Sequence, residues 1–289
     1  MVVGVLAMLD GCGDDNSDNS GVVTGTESSG DSESATVDSG TGTSSPWDSG
    51  DTATGENCAD PFEVSPTVED TFDIGWSESQ TLWRRASWMQ NGTQMSAERC
   101  AENADGFLEQ TVLAGEPFSG GSMQSRSEYG YGRWVARLKP SSVPGALNSM
   151  FTMDWDDMTT AETDGDGSHE EIDIEFLTYT FGAKSGSVHF AVHAPPLSNY
   201  FVDDVALDFN PSDEFHEWGF DVLPDRIVWH VDGNELATFI YDDTVTITGL
   251  YELFFNSWTK ESWINGPPSE NAVYQIDWVR FYPFRDDCR

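Results

Sequence analysis

Residues 171–177 read Glu-Ile-Asp-Ile-Glu-Phe-Leu, with acidic and apolar residues in strict alternation. A period of two is the period of a β-strand, which sends successive side chains to opposite faces. The pattern predicts Ile172, Ile174 and Phe176 in a core, and Glu171, Asp173 and Glu175 together on the other face. Similar alternation recurs along the chain. Trp134, Ala136 and Leu138 alternate with Arg133, Val135, Arg137 and Lys139. Val188, Phe190 and Val192 alternate with His189, Ala191 and His193. Ile227, Trp229 and Val231 alternate with Val228 and His230, ahead of a turn at Asp232-Gly233-Asn234. Residues 245–258 and 273–282 are rich in β-branched and aromatic residues, and Gly and Pro punctuate throughout. No long 3.6-residue periodicity interrupts this pattern. Many short strands without helices predict an all-β sandwich from about residue 70 onward.

The first 57 residues follow a different pattern. Residues 2–9, VVGVLAML, are apolar and precede Asp10-Gly11-Cys12. The run has the size of a signal-peptide core and is too short to span a bilayer. Leu9-Asp10-Gly11-Cys12 resembles a bacterial lipobox, which would place a lipid on Cys12 and make this the chain's only membrane contact. Asp10 is unusual within a lipobox, and no Lys or Arg precedes the run. Residues 13–57 are almost entirely Gly, Ser, Thr, Asp, Asn and Glu, a composition with little to bury, and predict a disordered acidic tether. The expected organisation is a signal-like segment over 1–12, a linker over 13–57 and one domain over 58–289. The expected location is outside the cytoplasm, at a bacterial cell surface or beyond it.

Charge narrows the partners. The chain has 51 acids against 13 bases, a net charge of −38, and its first basic residue is Arg84. No basic patch can neutralise phosphates, which excludes nucleic acid. Sulfated or acidic polysaccharides would be repelled. A neutral glycan fits better, and eleven Trp supply flat apolar faces for sugar rings. A monomer is expected. None of the four cysteines, Cys12, Cys58, Cys100 and Cys288, has C-x-x-C spacing, so no zinc site is expected.

Three acids on one strand face repel one another, so folding alone gives no reason to place them there. A retaining glycosidase does need such an arrangement: two carboxyl groups about 5–5.5 Å apart, one a nucleophile and one an acid/base. Cα atoms four residues apart on a strand are separated by roughly 13 Å. Two Glu side chains leaning together close much of that gap, and the shorter Asp173 suits the middle. Crowded negative charge raises the proton affinity of one member. The acids therefore predict retaining hydrolysis or transglycosylation without a cofactor. The spacing does not say which Glu attacks.

Glu171-Ile172-Asp173-Ile174-Glu175-Phe176-Leu177 resembles the signature of glycoside hydrolase family 16, nearest its lichenase and xyloglucan-modifying branch. Further matches follow in order: Tyr129-Gly130-Tyr131-Gly132 with Trp134, Asn148–Thr152, Phe215–Asp221, Ile227–Gly233, Asn256-Ser257-Trp258 and Ile276–Val279. The resemblance covers about residues 70–284. It implies a concanavalin-like jelly roll of two curved antiparallel sheets with a cleft across the concave one. It assigns Glu171 as nucleophile, Glu175 as acid/base and Asp173 as the assisting acid. It implies sugar contacts at Asn91, His189, His193, Trp258 and Trp263. Asp277 matches a position that helps hold a structural calcium in bacterial relatives. Neighbouring chain ends in this fold favour a Cys58–Cys288 disulfide, with Cys58–Cys100 the alternative.

The resemblance therefore implies an endo-β-glucanase acting on a neutral β-glucan with 1,3 and/or 1,4 linkages, mixed-linkage glucan favoured. A transglycosylase and a non-catalytic glycan-binding module are the alternatives. The sequence departs from the lichenase pattern at His169-Glu170 and at Thr178, which replaces a usual Gly, and these departures leave substrate specificity open.

Overall fold

The structure is a computed structural model and describes residues 58, 60–85, 87–154, 170–194, 197–241, 247 and 250–288. Cys12, the 1–12 segment, the 13–57 linker and His169 lie outside the described residues.

Two sheets form the fold, with antiparallel pairing in all but one strand pair. One, here called the back sheet, runs Asn234–Ile240, Arg226–Val231, His216–Val222, Gly132–Lys139, Ala272–Pro283, Leu108–Val112, Cys100–Glu102, and Val68–Asp70 also pairs with Ala272–Pro283. The other, here called the acid sheet, runs Leu197–Leu207, Gly186–Ala194, Glu171–Leu177, Leu147–Met153, Glu252–Trp258, Ser119–Ser125, Thr93–Met95, Met89–Gln90, and Trp83–Arg85 pairs with Ser119–Ser125. Among the described residues the α-helical content is one turn, Trp76–Ser79. This is the expected jelly-roll sandwich.

The core lies between the sheets and is built from the alternations noted above. Ile172, Ile174, Phe176, Val188, Phe190 and Val192 from the acid sheet meet Trp134, Ala136, Leu138, Ile227, Trp229 and Val231 from the back sheet in one buried cluster. Burying each large apolar side chain contributes about 1.5–3 kcal/mol, so the face of each strand is strongly specified. A one-residue slip of the acid strand would put its carboxylates into this cluster. The turn at Asp232-Gly233 uses two left-handed residues, φ 49° and 74°. This is the geometry a tight two-residue hairpin demands.

The segments that begin at Pro61 and follow Pro283 meet beside the back sheet. Phe62 bridges to Phe284, and the amide of Arg285 donates to the carbonyl of Pro61. Cys58 and Cys288 form the disulfide across a separation of 230 residues. Cys100 is a buried free thiol beside Gln110, so the alternative Cys58–Cys100 pairing does not form.

Asp277 corrects an expectation. It sits on the back sheet at an irregularity in the Ala272–Pro283 strand and pairs with the guanidinium of Arg137. A cation placed at this carboxylate would meet the arginine's charge. In this structure the carboxylate is half of an ion pair.

Replacing Cys58 and Cys288 by Ser should lower stability by about 2–4 kcal/mol, seen as a lower urea midpoint. An unchanged midpoint would mean that the terminal strand pairings hold the ends unaided.

Candidate active site

The acid strand Glu171–Leu177 is central in its sheet. Glu171 stands opposite Met153 and His193, Asp173 opposite Phe151 and Ala191, and Glu175 opposite Ser149 and His189. Asp173 is buried, and Glu171 and Glu175 keep part of their surface exposed. Two interactions fix the strand from behind. The indole N–H of the fully buried Trp229, on the back sheet, donates across the core to the backbone carbonyl of Asp173 at 3.0 Å. At the strand's end the hydroxyl of Thr178 donates to the carbonyl of Ala146 and accepts from its amide. A glycine could make neither bond, which gives this departure from the lichenase pattern a physical role.

The acids are not alone on their face. Nε2 of His193 lies 3.3 Å from a carboxylate oxygen of Asp173. Nε2 of His189 lies 3.8 Å from Glu175, and its Nδ1 lies 2.7 Å from Asp204. Glu171, Asp173 and His193 bring ligand-type atoms within 4.8 Å of one another. Burial, then the charges of Asp173 and Glu171, push the proton affinity of Glu175 well above the ordinary carboxylate range; His193 opposes this, and Asp204 adds to it. A raised proton affinity is what a group that must donate a proton requires. A protonated carboxyl beside two further carboxyls suits acetal cleavage, which needs a proton donor and an anionic partner.

The predicted sugar contacts separate on inspection. Trp263 packs its ring edge-on to His189, with centroids 6.0 Å apart, and keeps some exposure. Trp258 lies on the same face but is 3% exposed, packed among Met95, Leu147 and Ile264. It has no open face for a sugar, because the segment carrying Trp263 and Ile264 folds over it. Asn91 sits in the turn joining Met89–Gln90 to Thr93–Met95, φ 48°, with three strands between that hairpin and the acid strand.

Some neighbours of the acids were missed in the sequence. Glu252 accepts two bonds from Arg84, at 2.7 and 3.0 Å, and one from Gln124 at 2.7 Å. Trp88 stacks on Phe254, and Phe254 on Phe151, with centroids 6.0 and 4.9 Å apart. Register places Glu252 and Phe254 on the same face as the acids. Continuing the period of two back from Asn256 and Trp258 would have found both. Asp204 carries no local signal, since it meets His189 only through strand pairing.

The family model for glycosyl hydrolases family 16 matches residues 69–280. The chain belongs to glycosyl hydrolase family 16. It is a glycoside hydrolase. A β-glucanase of Bacillus subtilis is 29% identical over 207 residues, spanning 69% of this chain and 81% of the relative. One from Paenibacillus polymyxa is 28% identical over 236 residues, 76% of this chain and 91% of the relative. A prokaryotic β-1,3-1,4-glucanase from a mouse hindgut metagenome superposes with a TM-score of 0.60 at 27% identity, covering 75% of this chain and 98% of that one. The fold alone is shared with a family-16 protein of Bacteroides ovatus solved in complex with a G4G4G3G product, at 16% identity and a TM-score of 0.60, covering 74% of this chain and 99% of that one.

The raised proton affinity of Glu175 has a stability consequence. Between the ordinary carboxylate range and the raised value, the folded chain binds a proton that the unfolded chain does not. That contribution is complete below the ordinary range and is lost as pH rises through the raised value. Glu175→Gln should therefore raise the unfolding temperature near pH 8 by a few degrees, at roughly 2–4 °C per kcal/mol, and change it little near pH 4. Thermal unfolding at both pH values checks this; equal shifts at the two would contradict it.

Proposed function

We propose that this family-16 domain is a retaining endo-glycosidase that cleaves internal bonds of a neutral β-glucan, with mixed 1,3-1,4-linked glucan its favoured substrate. One observation carries the chemistry: Glu171, Asp173 and Glu175 share one strand face, where burial and the neighbouring carboxylates raise the proton affinity of Glu175. In this reading Glu175 donates its proton to the glycosidic oxygen as Glu171 attacks the anomeric carbon. The leaving sugar departs and a covalent glycosyl ester forms on Glu171. Glu175, now a carboxylate, takes a proton from water, and that water displaces Glu171. Two inversions give net retention, and the proton returns to Glu175. Asp173, between the two and beside His193, keeps the local field negative and supports this division of roles.

The substrate class rests on charge and on the relatives. A net charge of −38 disfavours anionic glycans. Relatives near 28% identity carry the name β-glucanase, and a similar solved structure is called a β-1,3-1,4-glucanase. Trp263 and His193 are the proposed sugar contacts nearest the acids, with Asn91 at the rim. We also propose that the protein is exported and lipid-anchored through Cys12; an apolar run, a lipobox-like tetrapeptide and an acidic tether support this.

On mixed-linkage glucan, Glu171→Gln should lose on the order of 10³-fold or more in kcat, and azide should rescue Glu171→Ala to an α-glycosyl azide. Near-wild-type turnover by Glu171→Gln would overturn the assignment. Glu175→Ala should lose about 10²–10⁴-fold on glucan yet still be glycosylated by activated aryl glycosides; equal losses on both would remove Glu175 from the acid/base role.

In the full chain expressed in a lipoprotein-processing bacterium, Cys12→Ser should move the protein from the membrane to the soluble fraction. Unchanged fractionation would contradict the anchor.

A further inference from the structure

Asp204, His189 and Glu175 lie in a line across three adjacent strands. Strand pairing sets His189 directly opposite both Glu175 and Asp204. Nδ1 of His189 is 2.7 Å from Asp204, and Nε2 points to the acid/base carboxyl at 3.8 Å. The ring of Trp263 packs against the imidazole and restricts its tilt. Both nitrogens therefore face carboxyl groups, which leaves this histidine poorly placed as a simple sugar contact.

We propose that Asp204 and His189 are positioning residues for Glu175: Asp204 holds the imidazole by Nδ1, and the ring so held packs beside the acid/base carboxyl and confines its orientation. This rests on Glu175 being the acid/base. The 2.7 Å contact at Nδ1 and the packing of Trp263 fix the plane of the imidazole, and with it the position of Nε2 beside Glu175. Once Glu175 has given its proton to the leaving oxygen, it recovers one from the attacking water. The cycle balances without any proton from His189, so the pair orients and tunes and does not shuttle.

Groups face Glu175 from its own strand and from the strands on either side. Its own strand contributes Asp173 and Glu171; the strand on one side contributes His189 and His193, with Asp204 behind them. The strand on the other side places Ser149, which does not titrate, opposite it. Asp204 is among the charges that hold the Glu175 proton in place. It is open to solvent and lies two strands from the acid strand.

The test compares Asp204→Asn, His189→Gln and the double variant with the wild-type enzyme on mixed-linkage glucan and on an activated aryl glycoside. Each variant should lose about tenfold in kcat on glucan, part of the 10²–10⁴ that acid–base catalysis supplies, and less than about twofold on the aryl substrate, whose leaving group needs little protonation. The double variant should lose no more than either single one, as expected for residues acting through one another. In Asp204→Asn the alkaline limb of kcat/KM should move down by roughly 0.5 in pH, because a like charge has been removed.

Equal losses on both substrates, an unmoved alkaline limb or additive losses in the double variant would overturn the proposal. Glu175→Ala, run alongside, separates the two readings. If it fails to discriminate between the substrates, the acid/base assignment falls. If it discriminates and the Asp204 and His189 variants do not, this inference falls alone.

Discussion

The alternation of Glu171–Leu177 puts two opposing demands on one strand. Its inner residues, Ile172, Ile174 and Phe176, are fully buried against the back sheet. Each contributes about 1.5–3 kcal/mol. Two ionised carboxyls about 5 Å apart, the spacing retaining hydrolysis uses, repel by roughly 3 kcal/mol at an effective dielectric of 20. The apolar side outweighs the acidic side, so the strand stays in register while holding an arrangement that is unfavourable by itself. The Trp229 bond to the carbonyl of Asp173 adds a directional restraint at the strand's centre.

Proton uptake relieves what remains of the conflict. A proton on Glu175 removes one negative charge from the cluster, and the same proton is the one an acid catalyst must hold ready. Folding stress and catalytic readiness thus share a single origin. His193, beside Asp173, moderates the crowding without abolishing it. Beyond the acids, the same face carries a neutralised Arg84–Glu252 pair and a stack of Trp88, Phe254 and Phe151. It therefore changes from charged to aromatic within a few strands.

The sequence made the sandwich and the acid triad legible because both depend on a local period of two. Ile172 and Ile174 face inward whatever lies elsewhere in the chain, so their acidic neighbours must face outward. Contacts that need strand order were not legible. Asp204 is an ordinary surface acid until pairing sets it against His189. Trp258 reads as a sugar platform until the following segment covers it with Ile264. Asp277 reads as a metal ligand from its alignment, yet its carboxylate is committed to Arg137, 140 residues away in sequence. In each of these, the decisive neighbour comes from a distant part of the chain.

The disulfide between Cys58 and Cys288 has a mechanical consequence. Any chain upstream of Cys58 is covalently continuous with it, so a pull from that side loads the disulfide first and then the paired ends, Phe62 with Phe284 and Pro61 with Arg285. These ends join the Ala272–Pro283 strand in the sheet opposite the acids. Tension is thereby delivered to the rear of the sandwich, and the carboxyl-bearing strand sits outside the direct line of force. A domain stapled in this way can be tugged against a bulky polymer while its reactive face keeps its geometry.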